Sequence, residues 1–426
     1  MSIKERQTEV KKLAHLEKFQ KSIDDSGINK YLDSFKEKLN FARYFVETHE
    51  DGKRWYNTIF QKHDIALILK ANAEAAIFAF KSSLDCLANA LNKICNPNTK
   101  ENAIYFNREL SKRLKERKYE SIAERINCFL NENDYFFKLR NLITHNVVVS
   151  AKYGLELPAI KIKMSFQPLP DAKNMPGNLE VSSYCYALMD KIYELAEDIF
   201  KQLCDEMERY LKPTDAIDSD NPSIKEKTQN LIRGKREAAD RAKSLFYWVR
   251  DEIKYNPYVP LEVFENFRAS KTLERGQGFC VEKAAVLAAF ARAVGIPARM
   301  HFADIRNHLV SDGLLKVMGT NLFSYHGYTE LYINGKWVKA TPAFDLKMCQ
   351  RNRIIPVEFD GKNDAILHSH NLDGKLHIEY VKDHGYREDV PVDEILFVWE
   401  KHYGLEVHER LAHSIEAEKA KGKKRE

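Results

Sequence analysis

An alanine-rich stretch over residues 276–295 constrains the fold of this chain more than any other feature. It opens as Gly-Gln-Gly-Phe-Cys and continues with small apolar residues at helical spacing, at Ala284, Leu287, Ala288 and Ala291. Gly295 fits the position after the end of a helix, and Pro297 prevents the helix from continuing. The small side chains predict a helix that packs deeply between other layers of the fold.

Cys280 is predicted to lie in the first turn of this helix. At that position, unpaired backbone N–H groups and the positive end of the helix dipole favour the thiolate over the thiol. The glycines before it allow a tight turn, and the Cys280 N–H can face an oxyanion that develops during a reaction. The pattern is typical of a cysteine nucleophile, whereas a cysteine without such surroundings is usually one more buried side chain.

Length and composition narrow the class of protein. With 426 residues, 44% of them hydrophobic and 30% charged, the chain is long enough for two or three soluble domains. A net charge of +5 is too small to argue for nucleic-acid binding by itself. The sequence contains no run of about 18 apolar residues to span a membrane, and residues 1–12 lack an apolar signal-peptide core. Seven scattered cysteines without metal-type spacing fit free thiols, so we expect a cytoplasmic protein with no metal and no cofactor.

The first half of the chain has the apolar spacing of helices. Residues 1–50 predict two polar amphipathic helices, in an N-terminal extension over residues 1–54 that is typical of a lid or a partner surface. A dense apolar pattern over residues 64–95 predicts a long buried helix. Alternation of apolar and polar residues over 160–166 predicts a small hairpin among the helices. The other predicted helices cover about residues 107–118, 121–129, 135–145 and 182–211.

A segment rich in proline and acids over residues 211–223 is typical of a boundary between domains, which we place near Thr214. Beyond it, an amphipathic helix with Phe246 and Val249 on one face precedes the Cys280 helix. Strand patterns follow. A helix followed by an antiparallel sheet predicts an α+β domain over residues 214–406, with a basic tail over 407–426.

The Asn334-Gly335 pair is the strongest short signal for a hairpin turn between two strands. Such a turn sets the register of the strands. Thr341 and, if pairing continues past Pro342, Asp345 then become diagonal neighbours of His326, about 7 to 8 Å away at the backbone. A histidine that is oriented by a polar residue beside the Cys280 helix predicts a thiolate–imidazolium pair. The predicted cross-strand pairs are Ile333–Lys336, Tyr332–Trp337, Tyr328–Thr341 and His326–Ala343.

Four motifs of this second domain resemble the bacterial transglutaminase-like superfamily, which has a papain-like fold. They lie within about residues 221–403 and read Gly-Gln-Gly-Phe-Cys280-Val-Glu-Lys-Ala, Arg292-Ala-Val-Gly295-Ile-Pro297-Ala-Arg299, His326-Gly-Tyr-Thr-Glu330 and Gly335-Lys-Trp337-Val. The resemblance implies Cys280 as the nucleophile and His326 as the general base and acid. It also implies Tyr255 as a side-chain oxyanion donor beside the Cys280 N–H.

The same resemblance implies acyl transfer through a thioester on a peptide or protein substrate. The superfamily covers thiol peptidases, amidases and protein cross-linkers, which differ in the acceptor: water in hydrolysis and an amine in cross-linking. We take hydrolysis of a peptide or isopeptide amide as the first hypothesis.

One position departs from the family pattern. The family's aspartate usually falls four residues after the tryptophan, and Thr341 occupies that position here. Either Thr341 orients His326 weakly or Asp345 substitutes for the missing carboxylate, and we prefer Asp345. Losing the third member often leaves a slower enzyme, because that residue holds the tautomer of the imidazole and stabilises the imidazolium. The departure also supports a third hypothesis, a catalytically inactive interaction module.

A second candidate site lies in the helical half, where residues 137–145 read Phe-Lys-Leu-Arg-Asn-Leu-Ile-Thr-His. Asn141 and His145 are one helical turn apart, and Arg140 lies about 100° round from Asn141. A histidine can move the protons of an RNA 2′-hydroxyl and leaving oxygen while a guanidinium stabilises the phosphate, without a metal. The alternative is an ordinary charge cap at a helix end.

Together with the long helix and the hairpin, this motif resembles the HEPN family over about residues 55–211, in a helical domain that we predict over 55–213. The family includes metal-independent ribonucleases of toxin and phage-defence systems, which pair two motifs across a dimer, and inactive binding relatives. The resemblance implies Arg140, Asn141 and His145 as a ribonuclease site that acts on RNA in a homodimer. The alternative function is therefore a ribonuclease regulated by the C-terminal domain.

Overall fold

The computed structural model describes residues 13–23, 26–55, 62–95, 104–116, 119–143, 149–156, 159–169, 171–177, 179–258 and 264–404. The chain divides into two compact units, Met1–Cys204 and Asp205–Glu426. None of the described helices is long and apolar enough to cross a membrane. The predicted basic tail over residues 407–426 lies outside the described part of the chain.

The first unit consists of helices and one antiparallel hairpin. The predicted long helix, hairpin and closing helix are confirmed, with ends that shift by a few residues. The elements are α1 (Ala14–Ser22), α2 (Ser26–Trp55), α3 (Lys62–Cys95), α4 (Arg108–Glu116), α5 (Glu120–Glu132), α6 (Asp134–Ile143), β1 (Val149–Glu156), β2 (Ala159–Phe166) and α7 (Val181–Arg209).

The N-terminal helices belong to the core of this unit. Leu32, Phe35 and Leu39, spaced by three and four residues on α2, are buried, and α2 packs along α3. Leu84 and Leu87 of α3 are buried as well. The first helices are therefore part of the helical unit, whereas the sequence suggested a separate lid or partner surface.

The second unit combines helices with antiparallel and parallel strands. The elements are α8 (Pro222–Leu231), α9 (Ala238–Glu252), β3 (Lys254–Tyr255), a 3-10 turn (Phe264–Phe267), α10 (Ala269–Arg275), β4 (Gln277–Gly278), α11 (Cys280–Ala293), β5 (Ala298–Asn307), α12 (Asp312–Met318), β6 (Leu322–Ile333), β7 (Lys336–Ala340), α13 (Leu346–Asn352), β8 (Ile378–Arg387) and α14 (Val392–Tyr403). Four of the strands form an antiparallel sheet of order β7-β6-β5-β8, and the short strands β3 and β4 pair in parallel.

Helix α11 is the centre of the second unit. Every residue from Val281 to Arg292 is buried, because α11 packs against the sheet on one side and against α8, α9 and α10 elsewhere. This burial explains why the helix is rich in alanine, since small side chains let neighbouring elements approach closely. Its three charged residues, Glu282, Lys283 and Arg292, are buried too, and each has a hydrogen-bond partner.

The predicted turn and the register next to it are confirmed. Asn334 and Gly335 have φ angles of 51° and 83°, as a two-residue turn between twisted strands requires. The predicted pairs Ile333–Lys336 and Tyr332–Trp337 are both found. Pairing ends at Thr329–Ala340, however, so the predicted pairs Tyr328–Thr341 and His326–Ala343 are wrong.

The strand stops there because the chain turns to a different partner. The N–H of Thr341 donates to the carbonyl of Ala365 at 2.9 Å, and the next residue, Pro342, has no N–H to continue a ladder. Asp345 therefore does not arrive opposite β6.

The division between the units falls within α7, earlier than the boundary predicted near Thr214. Tyr210 lies edge-on to Trp337 of β7, with 5.2 Å between the ring centres. The carbonyl of Tyr210 accepts a hydrogen bond from the N–H of Ala298 at 3.0 Å. Because these contacts fix Tyr210 on the sheet, the segment after Cys204 belongs to the second unit.

Candidate functional site

Cys280 is the first residue of α11, as predicted, and its backbone is held firmly. The carboxylate of Glu282 accepts a hydrogen bond from the N–H of Phe279 at 3.1 Å, and Arg275 binds the same carboxylate at 2.5 Å. A Cβ on Gly278 would lie 2.9 Å from the Glu282 carboxylate, so only glycine fits there without displacing this cap. The turn that was predicted before Cys280 is thus held by contacts between residues before Cys280 and Glu282 after it.

His326 reaches the start of α11 through a close approach of β6. A Cβ on Gly327 would lie 3.0 Å from both Cα and Cγ2 of Val281, so the strand and the helix meet where only glycine fits. Cys280, His326 and Tyr255 all line one cavity of about 440 Å³. The structure therefore brings together the three residues that the transglutaminase-like resemblance implies.

Tyr255 is fixed at this cavity by backbone contacts. Strand β3 pairs Tyr255 with Gly278, two residues before Cys280. The buried Nζ of Lys283 donates to the carbonyls of Arg250 at 2.9 Å and Ile253 at 2.6 Å, which anchors the chain just before β3. Lys283 lies in the motif after Cys280, but the sequence did not indicate this role.

Asp345 does not contact His326, and our preference for it as the orienting carboxylate is corrected. One oxygen accepts from the N–H of Met348 at 2.8 Å and the other from the N–H of Tyr255 at 3.0 Å. Asp345 is the N-cap of α13, a position that favours aspartate because its side chain satisfies a free helical N–H. Its link to the site is therefore indirect, through the backbone of Tyr255.

The imidazole of His326 lies beside the ring of Tyr380 instead. His326 is 3% exposed, and its Nε2 has no hydrogen-bond partner among the described residues. Thr341 is buried as well, and its side chain interacts with the hydroxyl of Tyr380. The ring of Tyr380 lies edge-on to His326 with 6.2 Å between centres, and its hydroxyl accepts from the N–H of Leu367 at 3.3 Å. No carboxylate among these contacts holds the imidazole.

Burial dominates the ionisation of the candidate pair. It raises the pKa of the Cys280 thiol to about 11, although the backbone N–H groups of Gly327 and Val281 act in the opposite direction. It lowers the pKa of His326 to about 3. Burial therefore opposes a charge on either group, and the expected thiolate–imidazolium pair stays a prediction, which alkylation of Cys280 at different pH values tests.

The family comparison agrees with this geometry. Residues 225–342 match the transglutaminase-like superfamily. The matched, transglutaminase-like region contains Tyr255, Cys280, His326 and Thr341 and ends before Asp345. The resemblance predicted from the motifs of the second unit is confirmed over residues 225–342.

Among solved structures, the chain aligns with a crystal structure from Cytophaga hutchinsonii named as a "putative cysteine protease". The two are 15% identical, and the alignment covers 45% of this chain and 50% of that chain with a TM-score of 0.29. The present chain thus spans about half the length of that protein. No curated protein matches the chain.

The second predicted site is described only in part. Arg140 and Asn141 lie near the end of α6, where Nη1 of Arg140 donates to Oδ1 of Asn141 at 3.2 Å. The Arg140 guanidinium also lies 5.8 Å from the ring centre of Phe78. His145 lies outside the described residues, so the HEPN resemblance and the ribonuclease site stay predictions. In the described part of the chain, no group of three His, Cys, Asp or Glu side chains is placed to hold a metal ion.

Proposed function

We propose that the transglutaminase-like region is a cysteine-dependent acyl-transfer enzyme that hydrolyses an amide bond of a peptide or protein. One observation carries the proposal: Cys280 at the start of a buried helix and His326 on the neighbouring strand line the same cavity. A nucleophile and a base that face one space are the minimum for covalent catalysis by a thiol.

The reaction begins with both groups neutral. His326 accepts the thiol proton of Cys280 while Sγ attacks the carbonyl carbon, so that an S–C bond forms as the carbonyl becomes an oxyanion. The imidazolium then gives its proton to the leaving amine as the C–N bond breaks, which leaves a thioester. Water, deprotonated by His326, attacks this thioester, and the carboxylic acid leaves as the thiol regains its proton.

Two donors are available for the oxyanion. The backbone N–H of Cys280 is one, because the first N–H groups of a helix have no partner within it. The phenol of Tyr255 is the other. Burial raises the pKa of Tyr255 far above its usual range, so the phenol keeps its proton and can donate it near neutral pH. Stabilisation of the oxyanion compensates in part for the missing carboxylate beside His326.

The proposal is tested with p-nitrophenyl acetate as a general acyl donor. We expect a burst of nitrophenolate from the full chain, slowed at least about a hundredfold in Cys280→Ser and in His326→Gln. Cys128, an exposed thiol far along the chain, provides the matched control, because Cys128→Ser should keep the whole burst. A burst that survives in Cys280→Ser would contradict the assignment.

The same assay separates the hypotheses that concern Cys280. Adding an amine such as glycine methyl ester redirects the acyl group to a new amide if the enzyme is a cross-linker, and leaves acetate as the product if it is a hydrolase. A folded protein that shows no burst at all would favour the inactive interaction module.

A further inference from the structure

We propose that the cavity beside Cys280 selects acyl groups that carry a free carboxylate close to the carbonyl under attack. This inference rests on the proposed function and names its substrate class. It starts from the charges on the cavity wall, where Arg351 and Lys375 are the cationic residues and no Asp or Glu is present among the described lining residues. The side chains of Phe323, Phe344 and Met348 give the wall an apolar part.

The two cations are placed by a clamp between α13 and the following loop. Arg353 ends α13 in a left-handed conformation with φ 55°. Its guanidinium binds the carboxylate of Asp373 at 2.6 to 2.9 Å, and its carbonyl accepts from the N–H of Leu372 at 2.9 Å. The loop that bears Lys375 is thereby held against the helix that bears Arg351.

The turn before Lys375 is rigid as well. Asn371 is buried, and its side-chain oxygen accepts from the N–H groups of Asp373 at 3.0 Å and Lys375 at 2.9 Å. An asparagine that bonds to the backbone two and four residues ahead fixes the loop locally. Both cationic side chains therefore start from anchored backbone, although their ends are exposed.

The positive charge at the cavity is only partly offset by the protein, through the interaction of Asp373 with Lys375. Neither Arg351 nor Lys375 forms an ion pair with any described residue. Asp373 interacts with Lys375, but the hydrogen bond from Arg353 is the main reason that its pKa is lowered. Both oxygens of Asp345 are taken by backbone N–H groups. A carboxylate on the substrate is the group that would complete these contacts.

The combination of charge and apolar wall defines the chemical class. An acyl group with a short apolar stem and a terminal carboxylate, such as a succinyl or glutamyl group, can place its carbonyl at Cys280 and its charge near Arg351 and Lys375. A neutral acyl group of the same size loses the charge contacts and keeps only the apolar ones. Arg351 and Lys375 are therefore the specificity-determining residues in this view.

A first test does not depend on catalysis. Iodoacetate and iodoacetamide are an anionic and a neutral alkylating agent of nearly the same size, and both react with the thiolate. We compare the rate for iodoacetate divided by the rate for iodoacetamide at Cys280. This ratio should fall roughly fivefold in the double variant Arg351→Gln, Lys375→Gln, a modest change typical of exposed charges. The ratio at Cys128 in the same molecules is the internal reference, and added salt should narrow the difference.

Lys347→Gln is the matched control. Lys347 is exposed on α13, the helix that carries Arg351, yet it does not line the cavity. The Lys347→Gln variant removes one positive charge from the same helix and should leave the ratio of the iodoacetate rate to the iodoacetamide rate unchanged. An equal fall of the ratio in Lys347→Gln, or no fall in the double variant, would overturn the inference.

A second test uses acyl transfer itself. Mono-p-nitrophenyl succinate and p-nitrophenyl butyrate differ only in a terminal carboxylate and methyl group. Sγ attacks the ester carbonyl, an S–C bond forms, and nitrophenolate leaves as the C–O bond breaks. We expect the succinate ester to acylate Cys280 faster, with the preference reduced roughly fivefold in the double variant.

The outcomes distinguish a failure of the proposed acyl transfer from a failure of the carboxylate preference. If neither ester acylates the protein faster than Cys280→Ser, the proposed function fails, and the alkylation ratio still decides on the charge of the cavity. If both esters acylate Cys280 equally, acyl transfer stands and the carboxylate preference is overturned.

Discussion

At the scale of single residues, burial determines how the candidate nucleophile and base ionise. The same desolvation that raises the pKa of Cys280 to about 11 lowers that of His326 to about 3. Each shift favours a neutral group, and the helix N-terminus only reduces the effect on the thiol. These shifts predict a thiolate that forms as the S–C bond forms, rather than one stored beforehand.

This ionisation predicts the pH dependence of alkylation. Because only the thiolate reacts, the rate constant for iodoacetamide at Cys280 should rise about tenfold per pH unit from pH 7 to 10, below the thiol pKa, without reaching a plateau. Mass spectrometry of the Cys280 peptide gives the rate, and circular dichroism at each pH verifies the fold. A plateau that is already reached below pH 8 would show a stored thiolate.

The two hydrogen bonds of the Asp345 carboxylate allow a second prediction at the scale of residues. Asp345→Ala removes the N-cap of α13 and the contact with the N–H of Tyr255, so we expect a loss of about 1 kcal/mol in the free energy of unfolding and slower acylation. Asp345→Asn keeps one side-chain oxygen for the cap but puts an NH2 group where the N–H of Tyr255 needs an acceptor, so it should keep most of the stability and lose rate as Asp345→Ala does. Urea unfolding and the nitrophenolate burst measure the two effects. A wild-type rate in both variants would contradict the role of Asp345 in holding Tyr255.

At the scale of elements, the site depends on how closely β6 approaches α11. The hydroxyl of Thr329 donates to the carbonyl of Ala284 at 2.8 Å, which ties the strand to the second turn of the helix. Gly327 provides the tightest contact, against Val281. The position of His326 relative to Cys280 follows from these two contacts together.

Gly327→Ala tests this approach directly. Its Cβ would meet Cα and Cγ2 of Val281 at 3.0 Å, so the strand must move away from the helix. We expect a loss of about 1 to 3 kcal/mol in the free energy of unfolding, and a slower burst because His326 moves with the strand. Gly313→Ala is the control, since its Cβ would meet nothing closer than 4.0 Å. Wild-type stability and burst in Gly327→Ala would contradict the proposed packing.

At the scale of the whole molecule, the features that depend on neighbouring residues could be predicted from the sequence. The alanine spacing before Gly295 gave the buried helix, the Asn334-Gly335 pair gave the turn and two strand pairs, and the glycines around Cys280 gave the entry to the helix. Each of these depends on residues that are close in the chain, where backbone preference and side-chain spacing decide the outcome.

The rest depends on contacts between distant segments. Strand β8, which brings Tyr380 beside His326, pairs with β5 without any turn that sets its register. The sequence could not show that the N–H of Thr341 donates to the carbonyl of Ala365, or that Asp345 is used as a helix cap. The effect of burial on the pKa of the Cys280 thiol likewise depends on the complete unit and not on the motif.

The most direct test of acyl transfer is to locate the acyl group on the full chain. After reaction with p-nitrophenyl acetate and an acid quench, peptide mapping by mass spectrometry should find one acetyl group, on Cys280, that hydroxylamine removes as expected of a thioester. The same treatment of His326→Gln should leave Cys280 unmodified at the same time point. Acetyl groups on Cys128 or on lysines, with none on Cys280, would contradict the assignment of Cys280 as the nucleophile.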